Sequence, residues 1–152
     1  MTGLTNAQQH AWRELVMATH LLDEALDRQS QRDGGMPHAY YKLLVLLYES
    51  PGHGETMSGL AAQLRYSPSR LAHAVTSMEK SGWLLRSRST DDRRVQTVAL
   101  TDAGVTLVRR VSPLQASEVR SRVFSQLSDM QVEQLAAISS AIVAGLDAGF
   151  NG

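Results

Sequence analysis

Hydrophobic positions recur at helical spacing in two long stretches, one near each end of the chain. The first stretch predicts an amphipathic helix over residues 6–31, preceded by a capping box from Thr5 to Gln8. The second predicts a terminal helix behind a capping box from Ser128 to Gln131. The repeating apolar residues are Trp12, Leu15, Val16, Leu22 and Leu26 in the first, and Leu135, Ile138, Ile142 and Leu146 in the second.

The chain after the first helix predicts a buried helix and then a loop. Pro37 suits a first helical position, because its missing N–H has no partner there in any case. Residues 40–47 are almost wholly apolar, which is typical of a helix buried on all sides. Residues 50–54 carry proline and two glycines, so we expect a loop.

Two short helices follow, joined by a tight turn. The first covers residues 57–64, and the turn is Arg65-Tyr66. Ser67 and Pro68 form a typical helix start, and Gly82 a typical stop. This arrangement is a helix-turn-helix. The inner positions of its second helix are Leu71, Ala74, Val75 and Met78.

A strand hairpin and a long helix complete the central region. Residues 83–87 and 95–100 predict two strands, and the polar segment between them predicts a hairpin tip. Thr101 caps the next helix. Pro113 falls inside that helix, where proline removes a hydrogen bond and clashes, so we expect a kink or an interruption.

These elements predict a mainly α fold with a small β-hairpin wing. Residues 35–111 form a winged helix-turn-helix, which is a DNA-binding architecture. Residues 1–34 and 112–152 form a helical dimerisation region, because the two terminal helices are amphipathic and the central core does not need them. The alternative is a monomer in which both helices cover their own core.

The charge distribution supports nucleic-acid binding although the net charge is zero. Residues 65–94 contain seven cations and three anions, so this segment is basic within a neutral chain. Thirteen of the fifteen cations are arginine, whose planar fork suits guanine and phosphate recognition. The chain has no cysteine, which excludes disulfides, thiolate zinc sites and thiol-based sensing.

The segment from the hairpin tip to the following helix resembles the wing signature of MarR-family transcription regulators. The matching residues are Asp91 to Arg94, Leu100, Thr101 and Gly104, with Gly82 and Trp83 at the entry to the wing. Ala72 and His73 depart from the hydroxyl and arginine that are frequent in the family. The resemblance covers residues 37–110. It implies a homodimeric repressor on a pseudo-palindromic operator, released by a small ligand.

Two groups of residues are predicted to contact double-stranded DNA. The first lies on the reading helix, whose N-terminal turns enter the major groove. The second lies on the wing, where arginine enters the minor groove. One of Arg93 and Arg94 is expected to insert, and the other to pair with Asp91 or Asp92, which stabilise the wing. The predicted contacts are Ser67, Ser69, Arg70, His73 and Ser77 on the helix, and Arg86, Arg88, Arg93 and Arg94 on the wing.

The remaining candidate residues concern two classes of ligand, a small effector and a metal ion. By resemblance to the family, a small and often anionic aromatic effector binds near Trp12, Arg13, His38, Tyr40 and Tyr41, although the aromatic residues also fit a plain core. The histidines are dispersed, with no HxxxH pair, so we predict no metal site and no cofactor.

Other functions have less support in the sequence. A winged helix that binds protein instead of DNA is the main alternative, and it predicts an exposed apolar reading helix. An enzyme is not expected, because the chain lacks a phosphate-binding glycine loop, a nucleophile elbow and a metal-ligand cluster. No apolar run approaches a membrane span, and the N-terminus does not resemble a secretion signal, so we expect a cytoplasmic protein.

Overall fold

The computed structural model describes residues 3–150, which form six α-helices and three strands. They divide into two compact units, one up to residue 115 and the other from residue 116 onward. The helices are α1 (Asn6–Gly34), α2 (His38–Glu49), α3 (Met57–Leu64), α4 (Pro68–Lys80), α5 (Asp102–Arg122) and α6 (Asp129–Phe150). The strands are β1 (Gly54–Thr56), β2 (Leu84–Arg88) and β3 (Gln96–Leu100).

The predicted capping boxes are confirmed at the starts of α1 and α6. The Thr5 hydroxyl accepts the Gln8 N–H at 3.2 Å, and the Gln8 side chain accepts the Thr5 N–H at 2.9 Å. In the same way, the Ser128 hydroxyl accepts the Gln131 N–H at 3.3 Å, and the Gln131 side chain accepts the Ser128 N–H at 2.9 Å. Helix α1 extends three residues beyond its predicted end, and it stops at Gly35, which adopts the left-handed conformation with φ of 70°.

The core of the first unit is formed by α2, α3, α4, α5 and the sheet. On α2, Tyr41, Leu43, Leu44 and Leu47 are fully buried, whereas Lys42 is exposed. The prediction of a helix buried on all sides therefore holds for most of its surface. The predicted inner stripe of α4 is confirmed, since all four of its residues are buried.

The sheet is larger than the predicted hairpin. Its order is β1-β3-β2, and all neighbours are antiparallel. The predicted loop over residues 50–54 is wrong at its end, because Pro51–His53 form a 3-10 turn and Gly54 already begins β1. A strand of three residues is too short to show an alternating pattern, so its own sequence does not predict it.

Helix α5 continues through Pro113, so the expected interruption is wrong, whereas the expected kink stays a prediction. Its start is the predicted one, since the Thr101 hydroxyl accepts the Gly104 N–H at 3.1 Å. In the second unit, α6 exposes the large apolar side chains predicted as its stripe. Within residues 3–150, no helix is long and apolar enough to cross a membrane.

Candidate nucleic-acid interface

The N-terminal turn of α4 is fixed by its cap. The Ser67 hydroxyl accepts the Arg70 N–H at 3.2 Å and lies 3.4 Å from the Ser69 hydroxyl. Pro68 occupies the first helical position, as predicted. One lone pair of Ser67 is thus occupied by the backbone, while Ser69 remains exposed.

The outer face of α4 is polar along its whole length. Ser69, Arg70, His73 and Ser77 are all exposed, opposite the buried stripe. The structure therefore brings the predicted reading residues together on one surface. Arg70 also has a neighbour outside the helix, because its guanidinium Cζ lies 3.9 Å from the ring centroid of Tyr66.

The wing tip is ordered by Asp92. One of its carboxylate oxygens accepts the backbone N–H of Arg94 at 3.0 Å and the Arg94 side chain at 3.2 Å. Its carbonyl accepts the Val95 N–H at 3.0 Å. Asp91 is tied in less strongly, through its N–H to the Ser89 hydroxyl at 3.3 Å. Arg93 is exposed and has no carboxylate partner within residues 3–150.

Three wing arginines line one open groove. The groove has a volume of about 490 Å³ and lies between the start of α3 and the wing strands. Arg88, Arg93 and Arg94 line it on the wing side, and Met57 and Ser58 line it on the α3 side. Such a concentration of guanidinium groups creates a positive potential that favours phosphate.

Arg86 differs from the other wing arginines because it faces inward. Its side chain is only 29% exposed, and its guanidinium donates to Glu79 at 3.2 Å and to the Thr76 hydroxyl at 3.1 Å. Its backbone N–H also donates to Glu79 at 2.9 Å. These hydrogen bonds hold the pKa of Glu79 below its ordinary value. They connect α4 to β2, so the reading helix and the wing are linked.

The predicted effector residues of α2 include a half-buried histidine, His38. The His38 and Tyr41 ring centroids are 6.5 Å apart, and His38 Nδ1 lies 3.3 Å from Gln115 Nε2. Burial lowers the pKa of His38, and the nearby Lys42 lowers it further. Tyr40 is half-buried against the core, whereas burial raises the pKa of the inaccessible Tyr41.

Trp12 and Arg13 do not join this group within one chain. The His38 N–H donates to Asp27 of α1 at 2.9 Å, which marks where α2 meets that helix. Trp12 precedes Asp27 by fifteen residues, or about 22 Å at 1.5 Å per residue. Both Trp12 and Arg13 are exposed.

The histidines of α1 form pairs with single carboxylates. His10 lies 4.0 Å from Glu14, and His20 lies 3.6 Å from Glu24. Across the part of the chain that the structure describes, no three histidine or acidic side chains converge to hold a metal ion.

Comparison with known proteins identifies the family. The family model described as MarR family matches residues 36–95. The fold is similar to that of Sco3205 from Streptomyces coelicolor, a MarR family transcriptional regulator solved in complex with DNA. The TM-score is 0.92, the identity is 42%, and the match covers 96% of this chain and 91% of that one. The chain belongs to the MarR family.

Two further relatives support the MarR-family assignment. AbsC of Streptomyces coelicolor, a MarR family transcriptional regulator, is 31% identical over 97% of this chain and 99% of its own, with a TM-score of 0.92. The transcriptional repressor MprA of Escherichia coli K12 is 26% identical over 86% of this chain and 75% of its own. The predicted winged helix with terminal helices is confirmed. These relatives are transcription regulators and not enzymes, as expected for this chain.

Three residues that shape this MarR-family interface are not among those predicted from the sequence. Tyr66 lies in the predicted turn, although an aromatic residue four positions before an exposed arginine is a signal for such a contact. Thr76 and Glu79 hold Arg86 across ten and seven positions of chain. Nothing local in the sequence indicates that contact, because it depends on how the wing folds back onto α4.

Proposed function

We propose that this protein is a sequence-specific DNA-binding regulator that acts as a homodimeric repressor on a pseudo-palindromic operator. One observation carries the proposal: the Glu79–Arg86 link joins the reading helix to a wing whose other arginines remain exposed. A helix for the major groove and a basic hairpin for the minor groove are then held in one piece. The relative Sco3205 was solved in complex with DNA, which also supports a DNA-binding function.

The proposed contacts divide into three roles. Ser69, Arg70, His73 and Ser77 face base edges, and Ser67 combines capping with a phosphate contact. Arg88, Arg93 and Arg94 contact the minor groove and its phosphates, while Asp91 and Asp92 stabilise the wing tip. Arg86 is predicted as a direct contact, but its partners favour a positioning role, since its guanidinium already donates to Glu79 and Thr76.

Dimerisation is supported by apolar side chains on both terminal helices. Trp12, Leu15, Val16 and Met17 of α1 are 40–56% exposed. On α6, Leu135, Ile138, Ile142 and Leu146 are 39–71% exposed. Apolar stripes of this length are unusual on a monomer surface. We assign residues 1–34 and 112–152 to dimerisation and residues 35–111 to DNA binding.

A small effector is proposed near His38, Tyr40 and Tyr41. The half-buried His38 ring lies 6.5 Å from the Tyr41 ring and its Nδ1 lies 3.3 Å from Gln115 Nε2, so polar and aromatic groups meet at this site. Trp12 and Arg13 contribute to the same effector site only if a second copy supplies them. We place the regulator in the cytoplasm, where its operator lies.

Fluorescence anisotropy with the intergenic DNA beside its own gene tests the proposal. We expect selective binding that weakens steeply with salt, with one dimer per site, because phosphate contacts release counterions. Equal weak binding to a scrambled duplex of the same composition contradicts sequence specificity. Absence of binding at low salt favours the protein-interaction alternative, which the polar face of α4 does not support.

A further inference from the structure

Tyr66 and Arg70 form a cation–π pair at the start of the reading helix. The guanidinium Cζ lies 3.9 Å from the ring centroid, which is van der Waals contact. Tyr66 belongs to the turn and Arg70 to the third position of α4. The pair therefore joins the fixed turn of the helix-turn-helix to an exposed arginine of its reading helix.

The Tyr66 ring is a fixed platform. Arg65 adopts the left-handed conformation with φ of 55°, and the Tyr66 N–H donates to the Ala61 carbonyl at 3.0 Å. This hydrogen bond closes the end of α3 and sets the direction in which the chain leaves it. The half-buried ring packs against the hydrophobic core, so its position does not depend on Arg70.

Among residues 3–150, no other group accounts for the placement of the Arg70 side chain. A cation in the first turn of a helix lies at the positive end of the helix dipole, which disfavours it. No acidic residue occurs in that turn, and within residues 3–150 Arg70 has no ion pair with a carboxylate. Tyr66 is the group that holds the side chain.

We propose that Tyr66 is a positioning residue that pre-orients Arg70 to read a guanine in the major groove, an inference that rests on the proposed function. A guanidinium stacked on an aromatic face still has its edge free, and the edge carries the paired donors that reach guanine O6 and N7. Arg70 thus loses less rotamer freedom when it binds, which improves discrimination without adding a contact to DNA.

The test compares Tyr66→Leu, Tyr66→Phe, Arg70→Ala and the Leu/Ala double variant in the full-length dimer. The probe is the tightest duplex that the wild-type protein recovers from a random-sequence pool. A second probe is the same duplex with 7-deazaguanine, which lacks N7, in place of each half-site guanine in turn. Nitrogen-15 spectra of the Arg70 Nε–H group in DNA-free protein report the stacking separately.

We expect Tyr66→Leu to weaken binding roughly two- to fivefold, with Tyr66→Phe unchanged because it retains the ring. Replacing the guanine that Arg70 reads by 7-deazaguanine should cost Tyr66→Leu less affinity than it costs the wild type. When Arg70 is already alanine, Tyr66→Leu should not weaken binding further. The Arg70 Nε–H resonance should move toward its free-arginine position in the Leu variant only. Thermal unfolding separates these effects from loss of fold.

Three results overturn the inference. In the first, the affinity losses of the two single variants multiply in the double variant. In the second, Tyr66→Phe and Tyr66→Leu lose the same affinity. In the third, Tyr66→Leu binds with full affinity while Arg70→Ala binds weakly. The last result leaves the proposed function intact. If the wild-type protein enriches no duplex at any salt concentration, the proposed function fails and this role fails with it.

Discussion

The Cα of Gly104 lies so close to the carbonyl of Trp83 that no larger residue fits. An added Cβ would lie 2.0 Å from the Trp83 oxygen. That carbonyl accepts the Thr101 N–H at 3.1 Å, which ties the start of α5 to the start of the wing. Thr101 and Gly104 of the wing signature therefore have a structural reason: one caps α5, and the other lets its first turn approach the backbone of the wing.

We expect Gly104→Ala to destabilise the protein by several kcal/mol, because the neighbour in contact is backbone and cannot rotate away. Gly145→Ala is the comparison variant, since within one chain a Cβ at that position of α6 meets nothing within 4 Å. As a helix-interior Gly→Ala change, it should be neutral or stabilising by about 0.5–1 kcal/mol for the folding of the single chain, so both variants are compared at low protein concentration. Urea unfolding of both variants measures the difference. Equal stability of the two variants would contradict the proposed close packing.

The sequence predicts most of this fold because its signals are local. Ser67-Pro68 and the capping boxes depend on neighbours within four residues, and the stripe of α4 follows from helical spacing. The missed features depend on distant partners. Strand β1 exists through pairing with β3, more than forty residues later, and the inward role of Arg86 depends on Glu79. An exposed arginine and a partly buried, paired one look alike in a sequence.

Glu79 should make stability depend on acidity. Because Arg86 lowers the pKa of Glu79 below its ordinary value of 4.5, the unfolded chain takes up the proton first. The contribution is complete above pH 4.5 and is lost as the pH falls through the pKa of the folded state. We expect Glu79→Gln to lower the urea midpoint of unfolding at pH 7. Below pH 4.5, the midpoint of this variant should decrease less steeply with pH than that of the wild type.

Removal of an exposed carboxylate by Glu133→Gln controls for the change in net charge. Unfolding curves at pH 7 and at pH 3–5 provide the comparison. If Glu79→Gln and the wild type have parallel acid profiles at every pH, the Glu79–Arg86 contact does not stabilise the wing.

The two adjacent wing arginines should contribute unequally to DNA binding. Arg94 is paired with Asp92, whereas Arg93 is exposed without such a partner in the described chain, so Arg93 is the one expected to insert. Arg93→Ala should reduce the free energy of DNA binding by about 1 kcal/mol or more. The slope of log affinity against log salt concentration should fall in magnitude by about 1 if a phosphate contact is lost. A preference for A·T-rich flanks should also disappear.

Anisotropy titrations at several salt concentrations measure both quantities. Arg94→Ala should cost less affinity than Arg93→Ala, and Asp92→Asn should weaken binding by loosening the tip that its carboxylate orders. A larger loss for Arg94→Ala would assign the inserted side chain to Arg94.

The exposed apolar stripe of α6 should control the oligomeric state. Ile142 is 40% exposed and lies on the same side of α6 as Ile138. A carboxylate at Ile142 would be buried without a partner in a dimer, so Ile142→Glu should yield monomers. Ser140→Glu, on the opposite side of the helix, adds the same charge and should remain dimeric. Analytical ultracentrifugation gives the mass of each variant.

Because a dimer binds both half-sites at once, the monomer should lose at least about a hundredfold in operator affinity. A dimeric Ile142→Glu protein would exclude this stripe from the interface.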